Sequence, residues 1–282
     1  MRINRRIHFV WTGIALLCAV RLAGCGGLET QSVWRSREIV IDGSPADWEG
    51  ISPTYVEAPN IAIRAVNDDH YLYLLLSSPD RNLAAQMLTR GFTVWFDPKG
   101  REDEALGIHY PLGTDSPLMA REALGDRTEI RQTIINMFES AGEVMEVLRS
   151  DEDEPVVLPI AGQGIEVRPG YASRNFVYEM RVPLQRGEDQ PYAIGSKPGR
   201  QISVGLETPE VDPEEIREAI GRDIPSDGEP MDGDGTGGME GDRGRGMTPG
   251  PGIRGPHDLE GLDIWARLIL ATAAISDEKQ RH

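Results

Sequence analysis

Apolar residues in this chain fall into short runs, many with a period of two, separated by clusters of Gly, Pro, Asn and Asp. That pattern predicts strands joined by tight turns. Glu38–Gly50, reading EIVIDGSPADWEG, opens the series: a β-branched run, an Asp42-Gly43 turn, and Trp48 as a large anchor after it. Trp34–Ile41 is accordingly the first predicted strand. Ile61–Val66 and Tyr71–Leu76 flank the turn signal Asn67-Asp68-Asp69-His70 and predict a hairpin. The near-continuous apolar run of the second arm predicts a strand buried on both faces. Further strands are expected at Gly91–Phe96, Leu106–Tyr110, Val156–Ile160, Gly164–Arg168, Asn175–Val182 and Gln201–Glu207.

Three stretches break the period. Asp80–Arg90 has helical character and contains no Gly or Pro, and Thr128–Ser140 repeats apolar residues at helical spacing. Pro213–Ile220 reads as a short helix capped by Asp212. Leu259–Ala273 fits a strand or a helix by periodicity alone, and a closing strand is the reading adopted.

Composition adds one large feature. Ser226–His257 holds eleven glycines in 32 residues, and Ile253 is its only branched aliphatic. Such a segment cannot bury enough apolar surface to offset its ordering entropy, so it is expected to be a disordered acidic insertion. The chain has 32 glycines, 20 prolines and a formal net charge of -17 over 282 residues. So acidic a surface repels nucleic acid and anionic membrane, which removes both as surface partners. The two cysteines, Cys18 and Cys25, lie near the N-terminus and leave the folded part without a disulfide framework.

Residues 1–24 read as an address. Arg2, Arg5 and Arg6 precede a short apolar stretch around Ile14–Val20, too short for a comfortable membrane span. Leu22-Ala23-Gly24-Cys25 resembles the bacterial lipoprotein cleavage box. That resemblance implies cleavage before Cys25, acylation (including palmitate) of Cys25, and stable anchoring by several acyl chains. Residues 25–34 would then be a tether, 35–273 the folded domain and 274–282 a polar tail. No aspartate follows Cys25 directly, which by analogy with sorting rules favours the outer membrane in a Gram-negative envelope.

Four pieces in order resemble the carbohydrate-binding module family 9-like domain, related to the DOMON group. They are IVIDGSPADW (39–48), NDDHYLYLLL (67–76), GFTVWFDPKG (91–100) with GIHYP (107–111), and YEMRVPL (178–184). LDIWARLILA (262–271) is similar to that domain's closing strand. The resemblance implies an all-β fold, a two-sheet antiparallel β-sandwich of jelly-roll type, its edge regions joined by the first and last strands. A short helical insertion and the disordered insertion would sit in its loops.

The resemblance implies a non-catalytic cell-envelope module that binds a glycan or serves as a scaffold. In sugar-binding members a pair of tryptophans stacks on the sugar ring. Here Trp48, Trp95 and Trp265 all fall within the framework motifs and are read as core anchors, and Trp34 lies beside the tether. The ligand-binding residues are therefore left unknown.

Haem is the alternative carried by DOMON-type relatives, which hold it through Met, His or Lys. The candidates are His70, His109, Met119, Met137, Met145 and Met180, without a CxxCH. A structural assembly protein recruiting partners through the acidic insert is a third reading. Asp232, Asp234 and Thr236 begin like a calcium loop, but its closing glutamate position holds Arg243, so no metal ligands are assigned. Asp68, Asp69 and Asp97 are assigned to turns. No GxSxG, HExxH or P-loop occurs, and no catalytic residue is assigned.

Overall fold

The computed structural model describes residues 28–113, 142–210 and 261–273, together with Asn136. The expected helices at 128–140 and 213–220, the acidic insertion 226–257, Cys25, the calcium-like loop, Met119 and Met137 lie outside the described residues, apart from Asn136 within the first helix. Fourteen strands are described: β1 Leu28–Gln31, β2 Val33–Trp34, β3 Thr54–Val56, β4 Ile61–Asn67, β5 Tyr71–Ser78, β6 Thr93–Asp97 and β7 Leu106–His109. They continue with β8 Val144–Arg149, β9 Val156–Pro159, β10 Ala161–Gly162, β11 Ile165–Ala172, β12 Asn175–Pro183, β13 Gln201–Glu207 and β14 Asp263–Ile269. One α-helix, α1 Arg81–Arg90, is capped by Asp80, whose side chain accepts the Asn82 N–H.

The strands form two seven-stranded sheets packed as a sandwich. The front sheet runs β1-β14-β13-β6-β7-β8-β9; the back sheet runs β10-β11-β12-β5-β4-β2, with β3 also on β4. Between them lies the main core, to which alternating residues contribute, such as Leu72, Leu74 and Leu76 on β5, Val94 and Phe96 on β6, and Ile202, Val204 and Leu206 on β13. The closing segment is a strand, as expected, pairing antiparallel with β13.

One difference from expectation lies in strand direction. The sheets are mixed, not wholly antiparallel, because β1 pairs parallel with β14 and β2 parallel with β4. The chain thus enters along the front sheet and steps to the back sheet at Ser32. The Ser32 hydroxyl donates to Asn67 Oδ1 at 2.5 Å, and the same oxygen accepts the Ala271 N–H at 2.8 Å. Among the described residues pairing begins at Leu28, within 25–34.

The predicted strand at 34–41 is corrected: only Trp34 of it is in a strand. Residues 35–51 instead form a strap across the outer face of the back sheet. Ile39 and Trp48 are buried there against Val66, Tyr73, Leu75 and Val177, with Ile41 and Ile51 alongside. This second cluster explains why β5 is apolar on both faces: one faces the core and the other the strap.

Asp42 Oδ1 accepts the Ser44 N–H, and Asp47 Oδ2 accepts the Val40 N–H, so these aspartates satisfy turn backbone. Val144–Arg149, a strand not anticipated from the sequence, extends the front sheet beyond β7.

Candidate functional site

The outer face of the front sheet has no strap among the described residues. Alternation sets what it presents. Val94 and Phe96 point into the core, so Trp95 points out; Ile264, Ala266 and Leu268 face inward, so Trp265 faces out. Both tryptophans are half-buried, unlike Trp48, which is 2% exposed.

Register places them in one row. Trp95 is opposite Gly107 on one side and Gly205 on the other, and Gly205 is opposite Trp265. Two strand spacings separate the tryptophan backbones, about 9.5 Å. Each indole is laid over the neighbouring glycine. A Cβ at Gly107 would come within 2.6 Å of the Trp95 ring, and one at Gly205 within 2.9 Å of the Trp265 ring. The glycines thus let two large rings lie against the sheet with their outer faces toward solvent.

The adjacent row is polar: Glu146, His109, Thr93, Glu207 and Asp263 follow one another across β8, β7, β6, β13 and β14. The Trp95 indole N–H donates to Glu207 Oε2 at 2.5 Å, fixing the ring's rotation. Thr93 Oγ1 is 2.8 Å from His109 Nδ1. Burial pushes the His109 imidazole below its ordinary pKa, with the Glu146 carboxylate opposing that shift.

A cavity of about 260 Å³ lies between the tryptophans, lined by both rings, Glu207, Asp263 and the rim residues Glu102, Glu104 and Glu210. On the other flank of Trp95 is an open cavity of about 700 Å³ that shares Trp95, Glu102 and Glu104 with the first. The loop carrying these glutamates is held by Asp97, 1% exposed. Its carboxylate accepts N–H groups from Lys99 at 2.8 Å, Arg101 at 2.5 Å and Asp103 at 3.4 Å. Burial acts against the Asp97 charge, but these amides overcome it and its pKa lies below the usual carboxylate value. Asp97 is thus a turn residue, as expected, and one that positions the rim. At the far end Thr208 ties the β13 end to Leu262 by two hydrogen bonds of 2.8 and 2.9 Å.

The sequence-based candidates disperse. Trp48 is an anchor, but in the strap cluster and not between the sheets. Reading Trp95 and Trp265 as core anchors is corrected: both lie on the outer face. Met145 and Met180 are buried in the core on opposite sheets, His70 is an exposed turn residue, and His109 sits beside the tryptophan row. Asp68 accepts the His70 and Tyr71 N–H groups at 2.8 Å each, the turn role assigned to it. Among the described residues, no three His, Cys, Asp or Glu side chains are grouped to hold a metal ion.

No family model and no curated protein matches the chain. Among solved structures it is similar to a carbohydrate binding module family 9 from Caldicellulosiruptor kristjanssonii in complex with glucose: 11% identity, 66% of this chain, 80% of that one, TM-score 0.33. The same organism's module in complex with cellotriose gives 14% identity, 66% and 79% coverage, and a TM-score of 0.31. A Bacteroides uniformis protein described as carbohydrate-binding gives 10% identity, 64% and 84% coverage, and a TM-score of 0.34.

Proposed function

We propose that this chain is a non-catalytic glycan-binding module of the cell envelope, and that the sugar lies on Trp95 and Trp265. The observation that carries the reading is the row Gly107, Trp95, Gly205, Trp265 on an open sheet face. A pyranose ring has an apolar C–H face and a hydroxyl rim. A half-exposed indole offers the complementary surface, and carboxylates such as Glu207 and Asp263 accept hydrogen bonds from the hydroxyls. A shallow aromatic-lined cavity with a few polar groups is the general form of a small-ligand site. Two rings two strands apart suit linked pyranoses better than a single one.

The envelope part rests on the sequence, where Leu22-Ala23-Gly24-Cys25 supports a lipid anchor on Cys25. Calorimetric titration of the full chain against a panel of soluble polysaccharides tests the ligand. Binding to at least one, weakened about thirtyfold in Trp265→Ala, is expected; no binding to any would remove the reading. Palmitate labelling that disappears in Cys25→Ala checks the anchor separately.

A further inference from the structure

The lining of the cavity between the tryptophans is uniform in sign. Glu102, Glu104, Glu207, Glu210 and Asp263 border it, and among the described residues no lysine, arginine or histidine does. Four of the five are exposed, and Glu207 is half-buried with Oε2 on the Trp95 N–H. The larger cavity beyond Trp95 is again mainly acidic, with Asp103, Glu152, Asp153 and Glu154 added. The cations in its lining are Lys99 and Arg149, and Arg149 is paired with Asp151 and Glu152. A ligand lying on the indoles therefore meets mainly negative charge, with Lys99 at the larger cavity and the exposed Arg267, two residues past Trp265 on the same face of β14, as cations at the margin.

Resting on the glycan reading, we infer that this site selects a cationic glycan, an oligosaccharide of amino sugars carrying free amines, over neutral and anionic glycans. Stacking on Trp95 and Trp265 is indifferent to charge, because every pyranose offers a C–H face. The rim is not indifferent. An ammonium on the sugar edge meets Glu102, Glu104 and Asp263 in a charge-assisted hydrogen bond, stronger than a hydroxyl makes. A uronate or sulfate there meets like charge from the rim and from a chain of formal net charge -17. One pair of unit charges about 4 Å apart near a surface changes affinity about tenfold or more, less in high salt.

The test is calorimetric titration of the full chain in detergent at pH 6 with three oligosaccharides of equal length. They are a glucosamine oligomer with free amines, a cello-oligomer and a galacturonic acid oligomer. Expected are at least tenfold tighter binding of the glucosamine oligomer than of the cello-oligomer, and no binding of the uronate. The advantage should shrink several-fold in 1 M salt, where charges more than about 3 Å apart are screened. In E102Q/E104Q/D263N, whose changed side chains are all exposed, the ratio between the first two ligands should fall toward one. Equal binding of the glucosamine and cello-oligomers, or preference for the uronate, overturns the charge selection and leaves the glycan reading standing. Binding of none of the three, together with a negative polysaccharide panel, overturns both.

Discussion

The two outer faces of this sandwich use the same pair of side chains to opposite ends. On the back sheet, Trp48 donates its indole N–H to Glu179 Oε1 at 2.6 Å, and on the front sheet Trp95 donates to Glu207 Oε2 at 2.5 Å. The back pair is sealed under the 35–51 strap, where Glu179 is fully buried and also takes the Asp42 and Gly43 N–H groups at 3.1 and 2.6 Å. The front pair stands at the wall of a cavity. An aromatic ring with a carboxylate partner is thus a fold element when a strap covers it and a candidate ligand platform when none does.

Exchanging each ring for alanine gives the widest separation between the faces. Trp48→Ala removes the centre of the strap cluster and leaves Glu179 short of a donor. It should cost about 3–5 kcal/mol of stability, read from urea midpoints. Trp265→Ala removes a half-exposed ring. It should change stability by less than about 1 kcal/mol while weakening glycan binding by about 2 kcal/mol, some thirtyfold. A Trp265→Ala variant as unstable as Trp48→Ala would place Trp265 in the fold, not in a site.

That difference between the faces was only half visible in the sequence. Short apolar runs, near-continuous in β5, located β4, β5, β6, β7, β12 and β13, because at least one face of each must meet the core whatever covers the other. The same alternation already pointed Trp95 and Trp265 away from Val94, Phe96 and Leu268. Membership in framework motifs favours the core-anchor reading over that signal, because a motif carries no information about which face is covered. What local pattern cannot supply is which outer face receives a strap. Ile39-Val40-Ile41 looked like a strand because β-branched residues favour one, yet Ile39 packs onto β5 while Val40 is exposed. The Glu207 and Asp263 positions were illegible for a related reason. They meet the rim glutamates only through register across β6, β13 and β14, a long-range property.

The buried carboxylate sharpens the comparison through pH. Burial pushes Glu179 up from 4.5 to about 7, against the pull of the Trp48, Gly43 and Asp42 donors. The folded state therefore binds this proton more tightly than the unfolded chain. Its contribution to stability is fully present below about pH 4.5, declines as pH rises, and is gone above about 7. The total is on the order of 3 kcal/mol. Urea midpoints measured across that window should fall, and Glu179→Gln should flatten the slope. A slope unchanged in Glu179→Gln would show that other groups carry it.

The smallest effects come from one methyl group placed on either face. On the covered face, a Cβ at Gly170 would approach the Gly43 carbonyl oxygen to 2.1 Å, a backbone atom held in place by the strap. Gly170→Ala must lift the strap, and overpacking of this kind costs about 1–3 kcal/mol. On the open face, a Cβ at Gly205 has the Trp265 ring as its nearest neighbour, at 2.9 Å, and that ring can swing outward. Gly205→Ala should therefore leave the urea midpoint nearly unchanged and weaken glycan binding about threefold to tenfold, by tilting the indole off the sheet. The same substitution then reads as a folding defect on one sheet and a binding defect on the other. If Gly205→Ala instead lowered stability as much as Gly170→Ala and left affinity intact, the Trp265 indole would belong to the packing of the front sheet, and the cavity beside it would lose its second wall as a ligand surface.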